Sequence, residues 1–300
     1  MSATYPVPVR RVVPVDGIPM SGLLAEAVDA RAVIVALHGG GSSAAYFDCP
    51  GHPDLSLIRA GAAAGFTVLA LDRPGYGTSG LYSDGMWDPV RRVDLAYAAV
   101  DAMLGPRPRG AGLFVVAHSN GCELAMRMAV DSRRRDILGV ELAGTGLRHY
   151  AAAAAILAEV TYTHRPSGLR ELIWGPEHLY PADVVSNVGS SGSPPQEAAI
   201  SANWAKRDFP ALAGQLSVPV RFTAAEHERV WESTPQALSS IAALFTVAPG
   251  VEVNRQAGCS HNLSLCLAAA DYHGGVLSFA QRCIAAAGSD TRDDSDREAG

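Results

Sequence analysis

Residues 113–129 read LFVVAHSNGCELAMRMA. Leu113 to Ala117 is a short unbroken apolar run, the pattern of a strand buried on both faces. Helix-forming sequence starts at once after His118-Ser119-Asn120-Gly121, with no room for an ordinary loop. A serine at so tight a strand-to-helix turn is held in a strained conformation, its hydroxyl pushed out above the carboxyl edge of a sheet. The residues two before and two after it must be small, because strand and helix nearly touch there. They are Ala117 and Gly121, so the pattern is A-H-S-N-G where G-x-S-x-G is the commoner form. The backbone N–H of Asn120, at the helix start, faces any negative charge that develops beside Ser119, and the helix dipole favours that charge.

Outward from this turn the chain alternates. AVIVAL (32–37) and FTVLAL (66–71) are further buried strands, and ILGVEL (137–142) another. Helices are expected at 55–64, 88–104 and 120–130; Asp88 is suited to cap the second and Pro89 to its first turn. The strands 7–13 and 18–25, joined at Asp16-Gly17, form an opening antiparallel hairpin. Alternation resumes with strand 218–223, helix 235–247, strand 251–256 and a last helix from about Asn262 to Ala287. Such an order predicts a mostly parallel sheet of about eight strands with helices on both faces. The core is expected in 1–146 and 213–287. Residues 147–212 break the pattern and hold much of the aromatic and histidine content, including Tyr150, Trp174, Trp204 and Phe209. They are expected to form a helical cap over one end of the sheet. The charged stretch 288–300 is expected to be a disordered tail.

Three further groups complete the chemistry that Ser119 implies. A second donor for an oxyanion is expected from His38-Gly39-Gly40-Gly41, directly after the strand 32–37. Gly40 and Gly41 are both eligible, and His38 is expected to brace the loop. A serine needs a base. Of nine histidines, His261 is placed best, after strand 251–256 and before the last helix. A carboxylate to orient it is expected just past strand 218–223, where Glu226 and Glu228 stand two residues apart and face different ways. Glu141, inside a strand, ranks lower. The chain order is nucleophile, acid, base.

These elements together resemble the α/β-hydrolase fold superfamily over roughly residues 5–287: LHGGG (37–41), LDRPGYGTSG (71–80), AHSNG (117–121), AAEHERV (224–230) and CSHN (259–262). In that superfamily the acid usually stands third after a glycine, and Ala225 and Glu228 occupy those places, so the resemblance implies Glu228. It treats Asp72 and Arg73 as structural. The chain is similar to the lid-bearing group of esterases and thioesterases and to actinobacterial hydrolases of natural-product biosynthesis. The resemblance implies a serine hydrolase acting on a carboxylic ester or thioester, with Ser119, His261 and Glu228 as triad and Gly40, Gly41 and Asn120 around the oxyanion. An acyltransferase using a carrier-protein or CoA thioester, and a non-catalytic binding protein, are the alternatives it leaves. The cap would line a pocket for a hydrophobic or aromatic acyl group.

Composition narrows the field. The chain has 300 residues, 48% hydrophobic and 18% charged, with a formal net charge of −6. No basic stripe points to nucleic acid. No run approaches the ~20 apolar residues of a membrane span, and the N-terminal residues lack a signal-type apolar core, so a cytoplasmic protein is expected. Five scattered cysteines, with no C-x-x-C, are expected to be buried reduced thiols. Neither metal spacing nor a nucleotide motif is present, so no cofactor is expected. The expected partner is a small-molecule acyl substrate, free or on a thioester carrier.

Overall fold

A computed structural model describes residues 6–134, 136–161, 163–187 and 192–298, with side chains of the last helix described to residue 288. Strands β1 (Val9–Val15) and β2 (Ile18–Ala25) form the opening hairpin, with Asp16 and Gly17 both at positive φ (49° and 79°). That is the backbone a two-residue D-G turn requires. Then follow β3 (Val33–Leu37), α1 (Leu57–Ala63), β4 (Thr67–Leu71), α2 (Pro89–Leu104), β5 (Leu113–His118), α3 (Gly121–Val130) and β6 (Ile137–Ala143). Helices α4 (Ala151–Ala158), α5 (Leu169–Trp174), α6 (Ala182–Asn187), α7 (Glu197–Asn203) and α8 (Phe209–Ala213) fill the segment between β6 and β7 (Val220–Ala225). The chain closes with α9 (Pro235–Ala242), β8 (Val251–Gln256) and α10 (Ala269–Glu298).

The eight strands form one sheet in the order β1-β2-β4-β3-β5-β6-β7-β8. β1 and β2 are antiparallel; β3 to β8 run parallel. β3, β4, β5, β6 and β7 are buried on both faces. Val33, Val35, Leu37 and Val115 face one helical layer, and Ile34, Ala36, Phe114 and Val116 the other. This two-sided burial is why those strands read as unbroken apolar runs. All six parallel strands point their carboxyl ends to one edge, which carries the loops after β3, β5, β7 and β8.

Three expectations change. The last helix begins at Ala269, because residues 263–265 form a separate 3₁₀ turn and the Leu267 N–H is held by the Leu179 carbonyl (2.7 Å). It runs through Glu298, beyond the expected end at Ala287 (residues 299 and 300 lie outside those described); an established helix adds one hydrogen bond per residue, and no proline interrupts it. Finally, Cys259 and Cys266 are joined as a disulfide with Cα atoms 5.7 Å apart, while Cys49, Cys122 and Cys283 are free and buried. The sequence spacing of seven hid the pair, which only the turn between β8 and α10 brings together.

His273, on α10, is fully buried with Nε2 on the Ser264 hydroxyl (3.0 Å). Burial drives its pKa down from 6.5 to about 3. Above pH 6.5 it is neutral folded and unfolded. Below that, the unfolded chain takes up a proton the folded one refuses, so stability falls as the pH drops from 6.5 toward 3. At pH 5 this amounts to about 2 kcal/mol. Urea unfolding at pH 7.5 and pH 5 should show His273→Gln losing less stability on acidification than the parent by that amount; equal losses refute the assignment.

Candidate active site

At the end of β5 the backbone of Ser119 takes φ 52°, left-handed for a non-glycine residue. Ser119 N–H is tied to the Ala143 carbonyl (2.8 Å), which pins the turn to the neighbouring strand β6. Gly121 opens α3 against the end of β3: a Cβ there would lie 2.3 Å from the Leu37 oxygen and 2.6 Å from the His38 oxygen. Both obstacles are backbone, so nothing larger than glycine fits, and Ala117 on the other side is fully buried. The steric logic of A-H-S-N-G is thus visible in the contacts.

His118 turns away from Ser119. Its ring stacks on Tyr46 (4.5 Å) and its Nε2–H donates to the His261 carbonyl (2.8 Å). Nδ1 is left buried without a partner. Burial, with His261 nearby, holds its pKa well below the usual value. A neutral His118 therefore supports the backbone of the loop that carries His261.

His261 follows β8 and is buried. Its Nδ1 is 3.1 Å from each carboxylate oxygen of Glu228. Glu228 Oε1 also accepts from the Val230 N–H (2.8 Å). Burial pushes this carboxyl up, but the His261 ring and the backbone donors outweigh it and the group is lowered overall. An ionised Glu228 fixes the Nδ1–H tautomer and leaves Nε2 without any partner among the described residues. The strand ends converge here: a Cβ on Gly144 would touch His118 Nε2 (2.8 Å) and His261 Cε1 (3.4 Å), and one on Gly39 would meet the Ser119 Cβ (3.1 Å). Of the other two carboxylates, Glu226 points to solvent and accepts from the Gly258 N–H (2.8 Å). Glu141 is committed to Arg221 (3.0 Å) and Tyr272 (3.2 Å).

The HGGG loop separates its two candidate donors. Gly41 N–H donates to the Tyr76 hydroxyl (3.2 Å). The N–H groups of Gly40 and Asn120 have no partner among the described residues. Gly40 lies against the elbow, since a Cβ there would meet Asn120 Nδ2 at 3.1 Å. His38 braces the loop as expected: Nδ1–H donates to the Gly39 carbonyl (2.8 Å) and Nε2 accepts from Arg73 N–H (3.1 Å). Burial and Arg73 keep it neutral.

Arg73, which the family resemblance treats as structural, is drawn to the site together with Glu197. Arg73, from the loop after β4, pairs with Glu197 of α7 at 2.6 Å, both buried. Asn120 Nδ2 donates to the same carboxylate (2.9 Å) and to the Ser201 hydroxyl (2.9 Å). Burial raises the Glu197 carboxyl, but Arg73 outweighs it and the group stays ionised. No spacing rule connects positions 73, 120 and 197, so only the fold could reveal them. The segment between β6 and β7 is anchored near this point by Trp204, whose Nε1–H donates to Thr145 (2.7 Å) and whose ring stacks on Phe209 (5.1 Å). Both rings are buried in the hydrophobic core. A cleft of about 500 Å³ does open beside Glu228, lined by Tyr150, Ile156, Leu172 and Arg229 among others. Among the described residues no group of His, Cys, Asp and Glu could hold a metal ion, and no helix is long and apolar enough to cross a membrane.

The alpha/beta hydrolase family model matches residues 34–287. Solved structures with the same fold include a soluble variant of monoglyceride lipase from Saccharomyces cerevisiae, 14% identical with a TM-score of 0.69 over 94% of this chain and 96% of that one. The N-acyl homoserine lactonase AidH matches with 14% identity and a TM-score of 0.69, over 92% and 98% of the two chains. A thioesterase domain from the curacin biosynthetic pathway matches with 15% identity and a TM-score of 0.60, over 92% and 99%. At such identities the likeness is one of fold. A search of curated proteins gave no match.

Proposed function

The chain belongs to the alpha/beta hydrolase family, and from that premise we propose that it is a serine hydrolase cleaving a carboxylic ester or thioester through an acyl-enzyme. The observation that carries the reading is His261, held through Nδ1 by a buried Glu228 with Nε2 left open. In the proposed reaction the Ser119 hydroxyl attacks the acyl carbon while His261 Nε2 takes its proton. The oxyanion is received by the N–H groups of Asn120 and Gly40, Gly41 being engaged by Tyr76. His261 then gives the proton to the departing alcohol or thiol. Water, deprotonated by the same imidazole, releases the acid and restores Ser119. Glu228 keeps the imidazole oriented and balances its charge while it is protonated. No step requires a cofactor.

The cleft beside Glu228 supports a hydrophobic acyl group of modest size, with Tyr150, Ile156 and Leu172 as its apolar walls. The donor is a small molecule, free or carried as a thioester. A fluorophosphonate probe followed by intact mass, then a chain-length series of p-nitrophenyl esters and acyl thioesters, tests the reading. One adduct on Ser119 and rapid release of free acid are expected. An acyl adduct discharged only by an added amine, alcohol or thiol would make the protein an acyltransferase. A protein that takes up neither probe nor acyl group is a binding protein of this fold.

A further inference from the structure

Glu197 belongs to the cap, yet its carboxylate meets both segments that supply the proposed oxyanion donors. On the elbow side it accepts from Asn120 Nδ2 (2.9 Å), and Ser201, one turn further along α7, accepts from the same amide (2.9 Å). The side chain of Asn120 is thereby clamped by α7, and its own N–H is one of the two free donors. On the glycine-loop side Glu197 pairs with Arg73 through two guanidinium nitrogens (2.6 and 3.4 Å). Arg73 N–H holds His38 (3.1 Å), and its guanidinium lies over the Tyr76 ring (4.7 Å). Tyr76 in turn accepts from Gly41 N–H (3.2 Å). One carboxylate thus closes a chain of contacts running from the HGGG loop, through the loop after β4, to the elbow. A Cβ on Gly40 would lie 3.1 Å from Asn120 Nδ2 and 3.3 Å from Glu197 Oε1, so the three elements meet at the remaining donor.

We infer that Glu197 is a positioning residue that joins the cap to the oxyanion hole, so that the two donors are aligned only while α7 is seated on Arg73 and Asn120. The inference rests on the serine-hydrolase reading above for its kinetic consequence, but not for its structural one. Glu197 touches no reacting atom. Its carboxylate holds the peptide planes of Gly40 and Asn120 at the separation that a tetrahedral oxygen needs, and small misplacement of such donors is costly. Seating of the cap and assembly of the hole then become one event, which ties substrate enclosure to catalytic competence.

The test compares Glu197→Ala, Glu197→Gln and Asn120→Ala with the parent protein. Asn120→Ala keeps the backbone N–H and cuts only the clamp, so it stands in if Glu197→Ala, which strands a buried Arg73, fails to fold. Loss of alignment predicts kcat lowered about 10- to 100-fold with KM within about twofold. Affinity for a trifluoromethyl ketone, whose adduct places an oxyanion in the hole, should fall by the same factor as kcat/KM. Glu197→Gln, which retains an acceptor for Asn120, should recover part of the loss. Independently of activity, amide exchange in peptides covering 37–42 and 117–122 should quicken about tenfold in Glu197→Ala and Asn120→Ala. Unchanged exchange there overturns the inference, as do variants that lose KM alone. An inert parent protein whose variants still show the faster exchange overturns the hydrolase reading and leaves the positioning role standing.

Discussion

Ser119→Ala is expected to lower kcat/KM by about 10⁴-fold or more, with the fold retained. In the proposed mechanism Ser119 is the one group whose removal forbids an acyl-enzyme. What remains is substrate held against the oxyanion donors and His261, which can assist a direct attack by water at a small fraction of the rate. The proposed mechanism makes Ser119 and His261 act as a unit, so the double variant with His261→Ala should be little worse than either single change. Additive losses would mean that the two side chains serve different steps. The same position carries a stability signature. Its φ of 52° is strained for serine and for alanine but open to glycine. Ser119→Gly should therefore be inactive yet more stable than Ser119→Ala by about 1 kcal/mol. Thermal melts of the two variants decide this, and equal stability would show that the turn stores no strain.

How far the molecule can be read from its residues depends on the range of the interaction concerned. AVIVAL, FTVLAL and LFVVA announce the parallel strands because both faces of each are buried, and the D-G turn announces the hairpin because only two positive φ values close it. Ser119 and Gly121 are legible for the same local reason: strand and helix touch within three residues. The choice between Gly40 and Gly41 was not legible. It turns on a hydrogen bond from Gly41 to Tyr76, 35 positions away, and nothing in a run of three glycines marks which N–H that hydroxyl will claim. Arg73 and Glu197 lie 124 positions apart. The resemblance treats Arg73 as a structural loop residue and nothing in the sequence singles out Glu197; only the packing of α7 against the loop after β4 buries the two together. The Cys259–Cys266 bond was hidden likewise, because the seven-residue spacing acquires meaning only when the turn after His261 reverses the chain.

Glu228 and Glu226 illustrate the same limit, and substituting them gives the second large effect. Glu228→Ala should lower kcat/KM about 10³-fold, and Glu226→Ala should leave it within about twofold. The residues stand two apart after β7, and a chain leaving a strand sends such neighbours in different directions. Glu228 turns inward, with its side chain only 1% exposed, and puts both oxygens on His261 Nδ1; Glu226 is 44% exposed and serves the turn at Gly258. Inside the protein the pair is shielded from water, so the carboxylate's hold on a protonated imidazole is much stronger than a surface contact could be. Glu228→Gln should be about as damaging as Glu228→Ala although it keeps the shape, because an amide can donate to Nδ1 and so place the imidazole proton on Nε2, where the proposed mechanism needs an acceptor. If instead Glu228→Gln retains near-parental turnover, the charge and the tautomer are both irrelevant and Glu228 is only packing. If Glu226→Ala proves the more damaging, the acid of the triad is the exposed residue, and the loop after β7 must rearrange when substrate binds.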